Sequence, residues 1–357
     1  MWVEVSQDLR CKIVKKNILG GAKSKKIRGI LSPGFVDLQV NGGGGALFNN
    51  DPTPHTLSVI LAAHRHFGTT AILPTIITDA QEVLAKAVDA VIAAKNNEGI
   101  IGIHIEGPHI STEKSGIHAA QFIRPFDSST LRCVKNLRSE DIPVMITVAP
   151  EVVSMKNIAA LSETGAVVSL GHTNASADLT QMALANGARA FTHLFNAMPP
   201  MINRKPCITT AAINSLAYTG IIGDGFHVDD EMLKVAIRAR PISDRVFIVS
   251  DGMPTVNGPS SFELYDQVIT LNAGRLLNAK GTLSGGHTSI ANTLNRLVTI
   301  LEIEVEEVLK MAISNPAELI GLPYLANANE RSAKDLICLD TDLTFLGYFD
   351  KLISSGF

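Results

Sequence analysis

The chain has 357 residues, 46% of them hydrophobic and 18% charged, with a formal net charge of -3. That length and composition suit one large barrel or two ordinary domains and exclude long disorder. The charge balance excludes a broad nucleic-acid surface, and the one basic run, Lys23-Ser24-Lys25-Lys26, reads as a solvated loop.

Residues 1–32 carry short strand-like pieces, and the stretch from Met1 to Asp8 lacks the charged start and apolar run of a secretory signal. No apolar stretch approaches the ~20 residues needed to cross a bilayer, so a cytoplasmic protein is expected. Cys11, Cys133, Cys207 and Cys338 are scattered without a CxxC pair and read as reduced thiols.

From residue 35 onward the pattern pulses. Short apolar runs alternate with longer segments at helical spacing, the signature of a parallel sheet. Eight such runs are Phe35 to Asn41, Ala71 to Pro74, Ile100 to Glu106, Pro143 to Thr147, Val167 to Gly171, Ala190 to His193, Gly220 to Gly223 and Arg245 to Asp251. Between the first two, His64-Arg65-His66 ends a predicted helix before Gly68 and reads as a solvated cation cluster, while His55 reads as a loop residue. The spacing predicts a helix from Ser176 to Ala185 stopped by Asn186-Gly187. It predicts another from Asp229 to Ala239 with Met232, Val235 and Ala236 on its apolar face.

The expected fold is therefore a (β/α)8 TIM-type barrel over residues 33–317, since no Gly-x-Gly-x-x-Gly opens a doubly wound sheet. Residues 1–32 and 318–357 are expected to form a small β-sandwich layer, with Gln267 to Leu271 and Asp335 to Leu346 as further strands. Residues 291–320 look helical, redirected at Asn315-Pro316.

The strands end in polar residues. Gln39 and Asn41 close the first, His104 and Glu106 the third, His172 the fifth, His193 the sixth and Asp251 the eighth, while Asp224 and His227 follow the seventh. In a barrel these ends converge on one mouth, where barrel enzymes place their chemistry. A lone strand-end histidine has a structural explanation and a lone carboxylate caps helices, but one carboxylate and two histidines on three strands make a ligand set for zinc or ferrous iron. His104 shares a side with Glu106, and alternation leaves open whether it is a ligand or a partner of one.

Pro33-Gly34-Phe35-Val36-Asp37 followed by Gln39-Val40-Asn41-Gly42 resembles the first barrel strand of the amidohydrolase superfamily, with Gln-x-Asn in place of the usual His-x-His. Together with His104-Ile105-Glu106-Gly107-Pro108, Gly116-Ile117-His118, Ala149-Pro150-Glu151 and Gly171-His172-Thr173-Asn174-Ala175, it resembles the N-acetylglucosamine-6-phosphate deacetylases. Asn196-Ala197-Met198-Pro199, Asp224-Gly225-Phe226-His227 and Ser250-Asp251 continue the match to about Pro316.

The resemblance implies one divalent metal ion, zinc or ferrous iron, held by Glu106, His172 and His193. It implies Asp251 and His118 as catalytic residues, with Asp251 moving the proton and His118 near the acetyl group. Substrate-binding residues would be Gln39, Asn41, Ile117, His118, Asn196, Ala197, Arg204, Asp224, His227, Leu283, Ser284 and Gly285, with Arg204 and His227 facing the phosphate. Met198 and Met201 would line a lid or pocket wall.

The implied reaction converts N-acetyl-D-glucosamine 6-phosphate to D-glucosamine 6-phosphate and acetate with a metal-activated water, in a cytoplasmic homodimer. The alternatives are the galactosamine epimer, another amidohydrolase acting on an N-acyl or cyclic amide, and an inactive barrel used as a scaffold. Departures from the family pattern are a short segment before Pro33, His109, Lys205-Pro206-Cys207, Gly252 and His287.

Overall fold

Each of the eight apolar runs becomes a strand of one parallel sheet. The strands are β1 (Phe35–Val40), β2 (Thr69–Ile77), β3 (Ile103–Glu106), β4 (Val144–Val148), β5 (Val167–Leu170), β6 (Ala188–Phe191), β7 (Tyr218–Ile221) and β8 (Val246–Ile248). The computed structural model describes residues 2–6, 8–14, 26–242 and 244–354; most of the basic run, Lys23 to Lys25, lies outside them, and Lys26 is exposed. Neighbours in sequence are neighbours in the sheet, from β1 to β8 in order.

The sheet curls until its first and last strands meet. Val40 bridges Gly252 in parallel, and the N–H groups of Asn41 and Gly42 both donate to the Gly252 carbonyl, at 2.9 and 2.8 Å. That closure brings the C-terminal ends of β1 and β8 side by side. Gly252 sits where a Cβ would lie 2.7 Å from His64 Cε1, so the glycine is required for the close approach.

Strand alternation divides the core into two layers. Leu38, Leu73, Met145, Val167, Ala190 and Phe247 pack together inside the barrel, where Leu319, Ile320 and Leu325 join them. Barrel packing therefore continues past residue 318. Ile72, Ile76, Ile103, Ile105, Ile146 and Leu170 face outward onto the helices. The inward positions nearest the mouth are polar: His104 Nε2 lies 2.7 Å from Thr147 Oγ1, which meets Thr192 Oγ1 at 2.7 Å.

Strand β2 runs past the expected stop at Pro74. The β1–β2 register shifts between Asp37 and Val40, and the Val40 N–H donates to Thr75 Oγ1 at 2.9 Å instead of to a ladder carbonyl. Pro74, which has no N–H to give the ladder, thus sits at a register irregularity rather than at the end of the strand.

The helices surround the sheet: α1 (Pro54–Arg65), α2 (Gln81–Ala93), α3 (Ser128–Ser139), α4 (Met155–Glu163), α5 (Ala177–Ala185), α6 (Ile208–Asn214), α7 (Asp230–Arg238) and α8 (Ile290–Thr299). Ser176 caps α5 by accepting the Leu179 N–H, and Gly187 follows its end with φ +102°, as the turn signals predict. The expected face of α7 is rotated by one residue: Leu233, Ala236 and Ile237 are buried, while Met232 and Val235 are 37% and 41% exposed. One residue is about 100° of helix, so a neighbouring apolar triplet faces the sheet instead.

Residues 291–320 form α8, α9 (Val305–Ala312) and α10 (Ser314–Leu319), with the last break at Ile313 rather than at the proline. His55 belongs to α1 and is exposed, not a loop residue. His64 is not solvated: it is fully buried, and its Nε2 meets the Gly42 carbonyl at 2.9 Å.

Ile30–Pro33, Leu336–Leu339 and Phe345–Tyr348 form one antiparallel sheet, and Trp2–Val5 pairs with Cys11–Val14. Gln267–Asn272 does not join these terminal strands. It pairs with Ser261–Leu264 and Arg275–Leu277 in a separate sheet, because short turns connect the three consecutively. All four cysteines are free thiols. No described helix is long and apolar enough to cross a membrane.

Candidate active site and metal centre

Several side chains at the barrel mouth are presented from a strained backbone. His172, His193 and Asp251, just past the ends of β5, β6 and β8, have φ of +48°, +27° and +48°. Phe195 and Ala197 in the following loop add φ values of +75° and +51°. A left-handed conformation outside glycine costs roughly 1–3 kcal/mol and marks functional turns.

Glu106, His172 and His193 are buried and form the one group of potential metal ligands found among the described residues. Glu106 Oε1 lies 2.9 Å from His193 Nε2 and 3.3 Å from His172 Nε2, and the two ring nitrogens are 3.1 Å apart. Tetrahedral ligands at zinc distances are separated by roughly 3.3 Å, so these spacings fit one shared cation. His172 supplies a second test. Its Nδ1 meets the Lys114 carbonyl at 2.8 Å, so Nδ1 carries the proton and Nε2 offers a lone pair toward Glu106 and His193. His104 lies outside this group, committed to Thr147.

Burial alone would raise the Glu106 carboxyl, but the contacts from His172 and His193 outweigh it and hold Glu106 well below the ordinary carboxylate range. Asp251 goes the other way: burial, then the charge of Glu106, push it up to about 6. A carboxyl poised there can take and return a proton near neutral pH. Asp251 Oδ1 accepts from Asn41 Nδ2 at 2.7 Å and from Gln39 Nε2 at 3.0 Å. Gln39 Nε2 also donates to Glu106 Oε1 at 3.1 Å, so one amide bridges the two carboxylates.

A cavity of about 220 Å³ opens above this floor, lined by Glu106, His118, His172, His193, His227 and Asp251 among others. Asn41, Ile117, Asn196, Ala197, Leu283 and Gly285 also line it, as the resemblance implies. Four expected contacts do not. Gln39 lies beneath the wall, occupied with the carboxylates. Asp224 turns to His227, accepting Nδ1 at 2.7 Å and the Phe226 and His227 N–H groups at 2.8 and 2.9 Å. Ser284 is buried, its hydroxyl on the Thr282 carbonyl, so Thr282 takes its place at the wall. Arg204 stands on the exposed loop 201–206, outside the cavity lining.

Sequence reasoning missed Ile77, Gly116, Ile222, Met253 and Thr282 in the lining. Most are small or apolar and carry no chemical signal. Two family departures prove structural: His109 is buried between the Arg124 carbonyl and Thr130 Oγ1, and His287 Nδ1 pairs with Thr255.

No protein-family model matches the chain. It is 39% identical over 318 residues to an N-acetylgalactosamine-6-phosphate deacetylase of a Shewanella species, covering 88% of this chain and 80% of that protein. It is 31% identical over 300 residues to the N-acetylglucosamine-6-phosphate deacetylase of Haemophilus influenzae, covering 82% and 77%. The crystal structure of N-acetylglucosamine-6-phosphate deacetylase from Pasteurella multocida superimposes with a TM-score of 0.88 at 30% identity, over 96% of this chain and 92% of that one. With sequence and barrel in agreement, the chain belongs to the N-acetylated amino sugar 6-phosphate deacetylases, hydrolases of the amidohydrolase superfamily.

Proposed function

We propose that the chain hydrolyses N-acetyl-D-glucosamine 6-phosphate to D-glucosamine 6-phosphate and acetate. The observation that carries this reading is the approach of Glu106, His172 and His193 to within 2.9–3.3 Å of one another beside Asp251. In this reading they hold one divalent cation, zinc or ferrous iron. Such a cation lowers the pKa of water to roughly 7 and polarises a carbonyl.

The chain's own groups handle protons and position. Because Oδ1 of Asp251 is committed to Gln39 and Asn41, Oδ2 is the oxygen that takes a proton from water and later delivers it to the amide nitrogen. Without that delivery the nitrogen would have to leave as an anion. His118 donates to the acetyl oxygen as negative charge builds, a contribution of roughly 3–4 kcal/mol in comparable sites. Ile117, Asn196, Ala197, Leu283 and Gly285 shape the sugar pocket, and His227, oriented by Asp224, takes the phosphate with Arg204. Gln39 acts on Asp251 from beneath the wall, while Asn41, which lines the cavity, both holds Asp251 and faces the sugar. The enzyme works as a homodimer in the cytoplasm.

One observation favours a second reading, the galactosamine epimer: the galactosamine-specific relative is 39% identical, against 31% for the Haemophilus glucosamine enzyme. Acetate release from both 6-phosphates, with bound metal measured in the same sample, tests both readings. Release from the gluco epimer supports the first, a strong galacto preference replaces it with the second, and release from neither sinks both.

A further inference from the structure

We infer that Thr78, just past the end of β2, is a positioning residue that fixes which nitrogen of His118 carries the proton. The inference rests on the role for His118 proposed above. Thr78 Oγ1 lies 2.7 Å from His118 Nδ1, and the Thr78 peptide N–H points at the same nitrogen at 3.4 Å. A peptide N–H can only donate, but at 3.4 Å this one is too long to hold the ring by itself, so the proton that Nδ1 accepts comes from the hydroxyl at 2.7 Å. A neutral imidazole has one proton, which then sits on Nε2. That atom is 4.0 Å from Glu106 Oε2, on the cavity side, where a donor is needed.

Thr78 is itself held from two sides. The Tyr265 hydroxyl, from the turn between Ser261–Leu264 and Gln267–Asn272, bonds to the Thr78 carbonyl. Gly107 passes so close that a Cβ there would lie 2.2 Å from Thr78 Oγ1, which confines the hydroxyl. Its single proton has two acceptors within reach, His118 Nδ1 at 2.7 Å and the Glu106 carbonyl at 3.4 Å, and the shorter contact takes it. Thr78 is 1% exposed, so water does not compete. The small sheet over residues 261–277 thus reaches the chemistry through two residues, although neither touches the cavity.

The other tautomer would point a lone pair at the substrate carbonyl, which repels charge building there. Loss of Thr78 therefore affects turnover and not ground-state binding.

The test uses zinc-loaded T78V, T78S, H118N and the T78V/H118N pair. Turnover, KM and metal content are measured, together with 15N–1H correlation spectra of labelled histidine rings. T78V is expected to lower kcat about 10²-fold, comparable to loss of one oxyanion donor, with KM and metal content unchanged. T78S should restore it. In the H118N background T78V should cost nothing further. The His118 ring should be protonated at Nε2 in wild type and T78S, and mixed in T78V. A wild-type ring protonated at Nδ1, or equal T78V losses with and without His118, overturns the inference. Should H118N keep full turnover, the proposed role of His118 falls and the catalytic half of this inference with it, while the ring spectra judge the Thr78 link separately.

Discussion

Replacing Asp251 by Asn separates activity from stability in opposite directions. The side chain keeps its shape, and an amide oxygen can accept from Gln39 and Asn41 as Oδ1 does now. It cannot take a proton from water, so kcat should fall about 10²–10⁴-fold. Stability should rise. In the fold the carboxyl is pushed from its ordinary 3.8 up to about 6 by burial and by Glu106. Above pH 6 the folded protein therefore carries an anion that it holds less well than the unfolded chain does. At 1.36 kcal/mol per pH unit that penalty is about 3 kcal/mol, an upper figure because one edge of Asp251 is open to the cavity.

The raised pKa costs stability above the folded value, and the cost fades as pH falls from about 6 toward 4. Metal-free D251N should melt several degrees above metal-free wild type at pH 7.5, and the two should coincide at pH 4. Thermal melts across that range, with acetate release and metal content at pH 7.5, make the assay. Turnover within tenfold of wild type would refute the proton role. Loss of metal from D251N would make Asp251 a ligand instead.

Three further outcomes follow from the same geometry. E106Q should purify with almost no bound metal, since it loses the anion facing both imidazoles; elemental analysis after dialysis checks this. Burial holds His64 down at about 4 against an ordinary 6.5, so the fold should lose about 3 kcal/mol as pH falls between those values, while H64Q, which keeps an amide donor for Gly42, should flatten the loss in urea titrations at pH 4.5 and 7.5. R204A should raise KM for the 6-phosphate far more than for the unphosphorylated sugar, and equal effects on both would remove its phosphate role.

The chemistry of the mouth was legible because barrels put function at strand ends. Glu106, His172, His193 and Asp251 stood out as polar residues terminating apolar runs, and the mouth brings them together. Thr78 is hidden in the sequence for a local reason: Pro74 marks an early end for β2, whereas the strand runs on to Ile77. Gln39 is legible as a polar end of β1, but nothing nearby in sequence reveals that its amide faces Asp251, 212 residues away.

Periodicity, capping residues and turn formers act over a few residues, and by themselves they determined the βα alternation, the ends of α5 and the strand-end residues available for chemistry. Tertiary structure alone decided which triplet of α7 turns inward, that His64 is sealed under Gly42, and that Arg204 stays outside the cavity. The physical reason is range. Those outcomes depend on contacts between distant segments whose partners no local pattern names, as where barrel closure at Val40 and Gly252 seals His64 beneath it.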